Sequence, residues 1–390
     1  MNWIRRIIEK KLFIFITLGL ISFVVLSLKF FSIPWVYIFL SLSVYFYLIY
    51  RHIHWAKAKV ILVNICVFFA LMALVEFLTY YLTETISQSH KEVEIKDVSG
   101  NQPFVISDRN LGHLPSPSTV FKHSEYYTDG TQNSVNYSIN ENSLRRSIPE
   151  DRNDRYINSV LFFGCSYTFG EMVEDNETLP WQFAELDDYR RNVYNFGFEG
   201  WGPHHMLASL QDDRVEKIVS EEPNLIVFQG IFDHLNRVTN DHAWTVNGPK
   251  YVLKGEDLVR SGNFIINSKL LRQLNKSAIY SLIMNSKYVQ PSFKEKARLF
   301  TEIIETSRAI FLSKYDSARF IVVMWPDSTY SDAEYKLVLD LLMSKGIEVV
   351  EVTNILTDIK NSPELYSVKN NGHPNPLAFN KIASFLLQQE

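Results

Sequence analysis

The stretch Ser159-Val160-Leu161-Phe162-Phe163-Gly164-Cys165-Ser166-Tyr167-Thr168-Phe169-Gly170 decides the fold of this chain. An apolar run of strand length stops at a small-residue turn that carries one serine, and a helix-forming segment at 177–186 follows. Open parallel sheets bind ligands at the carboxyl ends of their strands, so this strand–turn–helix order aims a hydroxyl at a cleft. The same order also suits a plain turn whose serine caps a helix. The segment alone leaves both readings open.

Beyond it, apolar runs at 160–163, 192–196, 225–229, 319–325 and 347–352 alternate with helical patterns near 178–187, 203–220, 292–314, 331–345 and 376–388. Several runs are continuously apolar, as strands buried on both faces of a parallel sheet must be. The alternation predicts a doubly wound α/β domain over residues 158–390. Residues 236–290, rich in Gly, Asn and aromatics, interrupt it after the third strand and are expected to form a lid or wall on the substrate side.

The first 83 residues differ in kind. Residues 12–28 and 30–50 hold no charge, and as one helix 12–50 would run about 58 Å, roughly twice the hydrocarbon thickness. Three transmembrane helices are therefore expected, at about 12–28, 30–50 and 60–82, with a turn at residues 29–34. No small-x-small cleavage site follows the basic start (Arg5, Arg6, Lys10, Lys11), so a retained anchor is read rather than a signal peptide. These basic residues and Arg51, Lys57 and Lys59 stay cytoplasmic by the positive-inside rule. Three spans then deliver residues 84–390 to the periplasmic or extracellular side of a bacterial cytoplasmic membrane. Residues 84–157, polar and punctuated by proline, read as a stalk with a small β lead-in. Glu76 lies in the third span less than two turns from its end and is expected to snorkel to the interface.

Charge is divided along the chain. The first 83 residues hold eight Lys/Arg and two Glu, a balance of +6, which leaves −10 of the net −4 for the remainder. An acidic exported domain without a basic stripe argues against nucleic acid as a partner. Cys66 sits in a span and Cys165 beside Ser166, so no structural disulfide is expected. No Cys or His spacing indicates a metal site, and no cofactor is called for.

Acyl transfer by a serine needs a base, a group to orient the base, and donors for the oxyanion. After the Ser166 turn, the second strand runs into Asn195-Phe196-Gly197-Phe198-Glu199-Gly200-Trp201-Gly202, and the third into Gly230-Ile231-Phe232-Asp233-His234. Asn370-Asn371-Gly372-His373-Pro374-Asn375 stands before the last helix. All could converge on one rim of the sheet.

These four blocks resemble those of the SGNH/GDSL hydrolase superfamily, over about residues 158–390, in a bacterial membrane-anchored form. The resemblance implies a flavodoxin-like sheet and no cofactor. It makes Ser166 the nucleophile, His373 the base, and the backbone N–H groups of Ser166 and Gly200 the oxyanion hole. Cys165 replaces the family's aspartate before the serine and reads as a small buried residue. Phe232 stands where the family has an asparagine donor, so the hole rests on two backbone groups or on His234 or Asn236. Asn370 stands at the family's aspartate, three residues before the histidine. It would orient the imidazole without charge, unless a distant carboxylate such as Asp233 or Asp358 substitutes. Asp233, His234, Trp201 and His204 are candidate substrate contacts, and Trp244, Tyr251 and Trp325 are candidate sugar-stacking walls.

The leading expectation is an esterase acting on acylated envelope polysaccharide or lipid. An O-acyltransferase supplied by a membrane acyltransferase partner, and a non-catalytic glycan-binding protein on the same fold, are the alternatives.

Overall fold

The computed structural model describes residues 14, 16–24, 26–27, 34–53, 55–88, 93–150, 156–239, 247–264, 274, 276–284, 286 and 289–389. Trp244 lies outside them. The chain forms two compact units: residues 1–91 with 266–290, and residues 92–265 with 291–390.

In the first unit, the helices Pro34–His52 and Ala56–Gln88 form a hairpin. Phe46 stacks on Phe69 with centroids 5.8 Å apart, and the Ser43 hydroxyl donates to the Cys66 carbonyl at 2.9 Å. Among the described residues, one helix is long and apolar enough to cross a membrane, Ala56–Thr83, with mean hydropathy 2.6. The expectation of three spans is corrected to this one candidate. Pro34–His52 has the length, but its last turn carries Arg51 and His52. The first expected span is helical where described, at 14, 16–24 and 26–27. Glu76 does not snorkel; it is buried, and its carboxylate accepts hydrogen bonds from residues 277–279 of the same unit.

The second unit begins with antiparallel strands. β1 (Val93–Ser99), β4 (Thr119–Tyr127) and β5 (Gln132–Ile139) make a sheet in the order β1-β4-β5, and β2 (Val105–Asp108) pairs with β3 (Gly112–Pro115). The parallel sheet follows, from β6 (Asn158–Gly164), β7 (Asn192–Gly197), β8 (Glu222–Gly230), β11 (Arg319–Met324) and β12 (Glu348–Glu351). Between them, β9 (Pro249–Lys254) and β10 (Asp257–Asn263) form a hairpin. The order β12-β11-β8-β6-β7 is the doubly wound 2-1-3-4-5 arrangement.

The continuous apolar runs are explained by covering on both faces. Val160 and Phe162 pack into one core with Leu179, Phe183 and Phe379. Leu161 and Phe163 enter the opposite core with Phe196, Leu207 and Phe300, as alternate residues of a strand must. β6 is flanked by β7 on one side and β8 on the other, so the chain reverses direction across the sheet at its end. That is the switch point where such sheets bind ligands, and Ser166 lies two residues beyond it.

Candidate active site

Close backbone packing shapes the turn after β6. Gly164 has φ 154°, and a Cβ there would lie 2.2 Å from Thr168 Oγ1. A Cβ on Gly197 would meet the Phe169 backbone nitrogen at 2.8 Å. Both glycines let the short helix Ser166–Phe169 sit directly on the ends of β6 and β7. A buried polar chain holds it: Trp325 Nε1 donates to Gln229 Oε1 at 3.0 Å, Gln229 Nε2 to Thr168 Oγ1 at 3.0 Å, and Asn195 Nδ2 to the Thr168 carbonyl at 2.9 Å. Arg145, wholly buried, donates to the carbonyls of Phe169, Gly170 and Val173 and pairs with Asp175 at 2.8 Å. Ser166 thus starts a rigid helical turn, where backbone N–H groups have no intrahelical acceptor.

Ser166 Oγ lies 2.8 Å from His373 Nε2. His373 Nδ1 lies 2.6 Å from Asn371 Oδ1, and Asn371 Nδ2 donates to Glu125 Oε2 at 2.7 Å. A carboxylate only accepts, so Glu125 fixes which end of the Asn371 amide faces it. The carbonyl end therefore faces the histidine and can only accept from Nδ1–H. Nε2 is then left with its lone pair toward the serine hydroxyl, as a general base requires.

Asn370 does not take the orienting role. Its Nδ2 donates to Asp129 Oδ2 and Thr131 Oγ1, both at 3.1 Å. The cause is a tight turn: Asn370 and Gly372 both have positive φ (61° and 84°), and Val368 N donates to the His373 carbonyl at 2.7 Å. This turn faces Asn371 inward and Asn370 outward.

The base sits among charges that the sequence reading missed. Glu171 Oε2 lies 3.4 Å from His373 Nε2, and Lys96 Nζ bonds Glu171 Oε1 at 2.7 Å. Burial holds the imidazole below its ordinary value, while the Glu171 carboxylate favours its charged form and opposes the shift. Burial also resists ionisation of Glu171, yet the charges of His373 and Lys96 outweigh it and hold the carboxyl low. Glu125 is held at about 2, because hydrogen bonds from His123, Tyr127 and Asn371 overcome its burial. Glu199 is pushed up to about 8, first by burial and next by the Glu171 charge. One signal for this cluster was present. His123 and Glu125 lie between Phe121 and Tyr127 on the inward face of β4, where ionisable residues are costly.

His123, Glu125 and Glu171 bring donor atoms within 4.8 Å of one another, the only such group among the described residues. The Lys96 ammonium lies 2.7 Å from Glu171 and 3.9 Å from Glu125, so a cationic group already stands beside these donors.

The remaining expected contacts fall elsewhere. Trp201, His204 and His234 are buried; Trp201 stacks on His205 at 5.0 Å, and His234 packs on Phe228 at 5.4 Å. Asp233 pairs with Arg237 at 2.7 Å, and Arg237 Nη1 donates to the Trp201 carbonyl at 2.7 Å. Burial removes substrate-facing roles from Trp201, His204 and His234, whose rings the apolar surroundings of the loops after β7 and β8 draw inward, whereas Asp233 is half-buried. Phe232 packs between Tyr330 and Tyr335 at 4.8 and 5.3 Å. Asn236 bonds Tyr330 and Lys296, so neither it nor buried His234 replaces the missing donor. Gly200 has φ 76°, a left-handed turn residue just past the end of β7.

A cleft of about 600 Å³ opens beside the nucleophile, between Tyr167 and Gly372, the neighbours of Ser166 and His373. Trp325, Tyr330 and Tyr366 give it aromatic walls and Asp327 a carboxylate. Of the expected stacking residues Trp325 lines it, whereas Tyr251 is in the core.

No family model and no curated protein matches the chain. Among solved structures it is similar to SGNH and GDSL-type esterases. One is a two-domain esterase active on acetylated mannans, at 11% identity over 59% of this chain and 47% of that chain, with a TM-score of 0.34. Another is the acetyl xylan esterase Est2A from the rumen bacterium Butyrivibrio proteoclasticus, at 12% identity over 71% and 70%, with a TM-score of 0.34. A third is AlinE4, an SGNH-hydrolase family esterase, at 13% identity over 61% and 96%, with a TM-score of 0.32. This chain spans about half the length of the first of these.

Proposed function

We propose that the chain is a serine esterase that passes through an acyl-enzyme on Ser166. The observation that carries this is the continuous path Ser166 Oγ–His373 Nε2, His373 Nδ1–Asn371 Oδ1, Asn371 Nδ2–Glu125, with every step at 2.6–2.8 Å. Ser166 Oγ attacks the ester carbonyl while its proton passes to His373 Nε2. The backbone N–H groups of Ser166 and Gly200 receive the oxyanion. The C–O bond to the alcohol then breaks, and the alcohol leaves with the proton from His373. Water attacks the acyl-enzyme, giving its proton to the same nitrogen. The carboxylic acid departs, and Ser166 is reprotonated.

Asn371 brings no charge of its own. In a serine protease an Asp-to-Asn change at this place costs roughly 10⁴ in rate, through the wrong imidazole tautomer. Here Glu125 sets the amide orientation and, through it, the tautomer. Its charge and that of Glu171 stabilise the imidazolium that forms. The missing side-chain donor at Phe232 costs on the order of 10²–10³ in rate, which slows an esterase without abolishing it.

The helix Ala56–Thr83 anchors the chain in the bacterial cytoplasmic membrane, with the catalytic unit outside. That location and the aromatic cleft support an O-acyl ester of an envelope polysaccharide or lipid as substrate. Hydrolysis of a short-chain aryl ester by the full-length protein, with and without a glycan acceptor, tests this reading. Acid release proportional to enzyme and lost in Ser166→Ala supports it, and no turnover with either acceptor contradicts it.

A further inference from the structure

The sequence places residues 266–290 inside the second unit, yet the structure joins them to the first. Their helix Ala278–Met284 packs on the helix Ala56–Gln88, and its start is fastened by Glu76. Glu76 Oε1 accepts from Ala278 N at 2.6 Å, and Oε2 accepts from Ile279 N at 3.2 Å and from the Ser277 hydroxyl at 2.8 Å. That hydroxyl accepts from Tyr280 N at 3.1 Å, and Ser281 N reaches the Ser277 carbonyl at 3.0 Å. Every N–H of the first turn therefore has an acceptor. Complete satisfaction is what a helix start requires in hydrocarbon, where no water can serve.

Depth follows from the span. Glu76 lies seven residues before Thr83, the end of the apolar stretch, or about 10 Å along the helix axis. Around it Leu74, Val75, Phe77 and Leu78 are exposed, while Glu76 and Ala73, one turn away, are buried. The helix it caps presents Leu282, Ile283 and Met284 outward, and Val289 follows. An apolar surface continuous with that of a membrane span is matched by acyl chains rather than water.

We infer that residues 277–284 are a re-entrant membrane element, held at the depth of Glu76 and facing the acyl chains of the outer leaflet. The inference rests on the membrane-anchor reading of Ala56–Thr83. It gives Glu76 a function: it closes the hydrogen-bond account of a helix that enters the bilayer from the catalytic part of the chain.

The test uses full-length protein in phosphatidylcholine–phosphatidylglycerol nanodiscs, with Cys66→Ser as background because Cys165 is buried. A polarity-sensitive dye is placed in turn at Ile283→Cys, at Leu74→Cys on the span, and at exposed Ser344→Cys. Quenching at 283 by acyl-brominated lipid to the level of 74, and severalfold weaker iodide quenching than at 344, is the expected result. Glu76→Leu should move 283 toward the behaviour of 344 while leaving 74 lipid-quenched, and Glu76→Gln should move it less. Iodide access at 283 equal to that at 344, with 74 still lipid-quenched, overturns the re-entrant element alone. Iodide access at 74 overturns the anchor and the inference together.

Discussion

Asn371 is the residue on which the chemistry turns. It offers a carbonyl to His373 and an amide to Glu125, and each end is specified by its neighbour. Asn371→Ala should lower kcat by about 10²–10⁴-fold, the range of a lost general base. Glu125→Gln should lower kcat less than Asn371→Ala, because Asn371 still reaches His373 even though a neutral amide no longer dictates which of its ends faces the imidazole. Steady-state kinetics with an aryl ester separates these from a KM effect. The pH profile provides an independent check. Burial keeps the His373 value lowered, so the acid limb of kcat/KM should fall below the ordinary histidine value of about 6.5. Glu171 raises that value by favouring the imidazolium, so Glu171→Gln should move the limb to still lower pH. Movement to higher pH would contradict the charge assignment. The resemblance of their blocks to a known family pointed to Ser166 and His373, which lie 2.8 Å apart. Asn371 was not legible, because the choice between it and Asn370 depends on two left-handed residues whose φ no spacing reveals.

At the scale of elements, the five strands and their helices follow from the periodicity of the chain. All five apolar runs became strands of one sheet, and the broad 203–220 helical pattern resolved into Pro203–Gln211 and Arg214–Ile218, with Asp213 in a left-handed conformation between them. What periodicity could not show is how the antiparallel strands reach the site. β4 brings Glu125 to Asn371, 246 residues later in the chain, and such a long-range pairing leaves no local pattern. Arg145 links the two regions, bridging to Asn195 of β7 and clamping the turn after the nucleophile helix. Its guanidinium is buried over the Tyr137 ring at 4.3 Å and paired with Asp175. Arg145→Ala leaves the Asp175 carboxylate without its cation and removes the donor shared by the carbonyls of Asn136, Phe169, Gly170 and Val173, and should cost about 3–5 kcal/mol of unfolding free energy. Urea denaturation would read this as a lower midpoint at unchanged slope.

For the whole molecule, composition signalled an apolar N-terminal part and an acidic remainder, whereas the structure groups residues 1–91 with 266–290 and residues 92–265 with 291–390. Sequence reading assigned the stretch 266–290 to a substrate-side wall because it interrupts the α/β alternation. Its partner, Glu76, lies some 200 residues upstream, which no local reading exposes. One consequence concerns fragments. A protein of residues 92–390 lacks the helix that covers Ser277 and Ala278, so it should associate or require detergent on size-exclusion chromatography. Removing 266–290 from that fragment should restore a monodisperse peak.

The most direct test of the central claim is covalent labelling of the full-length protein with a fluorophosphonate that reacts with activated serines. The account predicts one adduct, located on Ser166 by peptide mass, lost in Ser166→Ala and strongly slowed in His373→Ala. No adduct on the wild-type protein, or one that persists in Ser166→Ala, would contradict it.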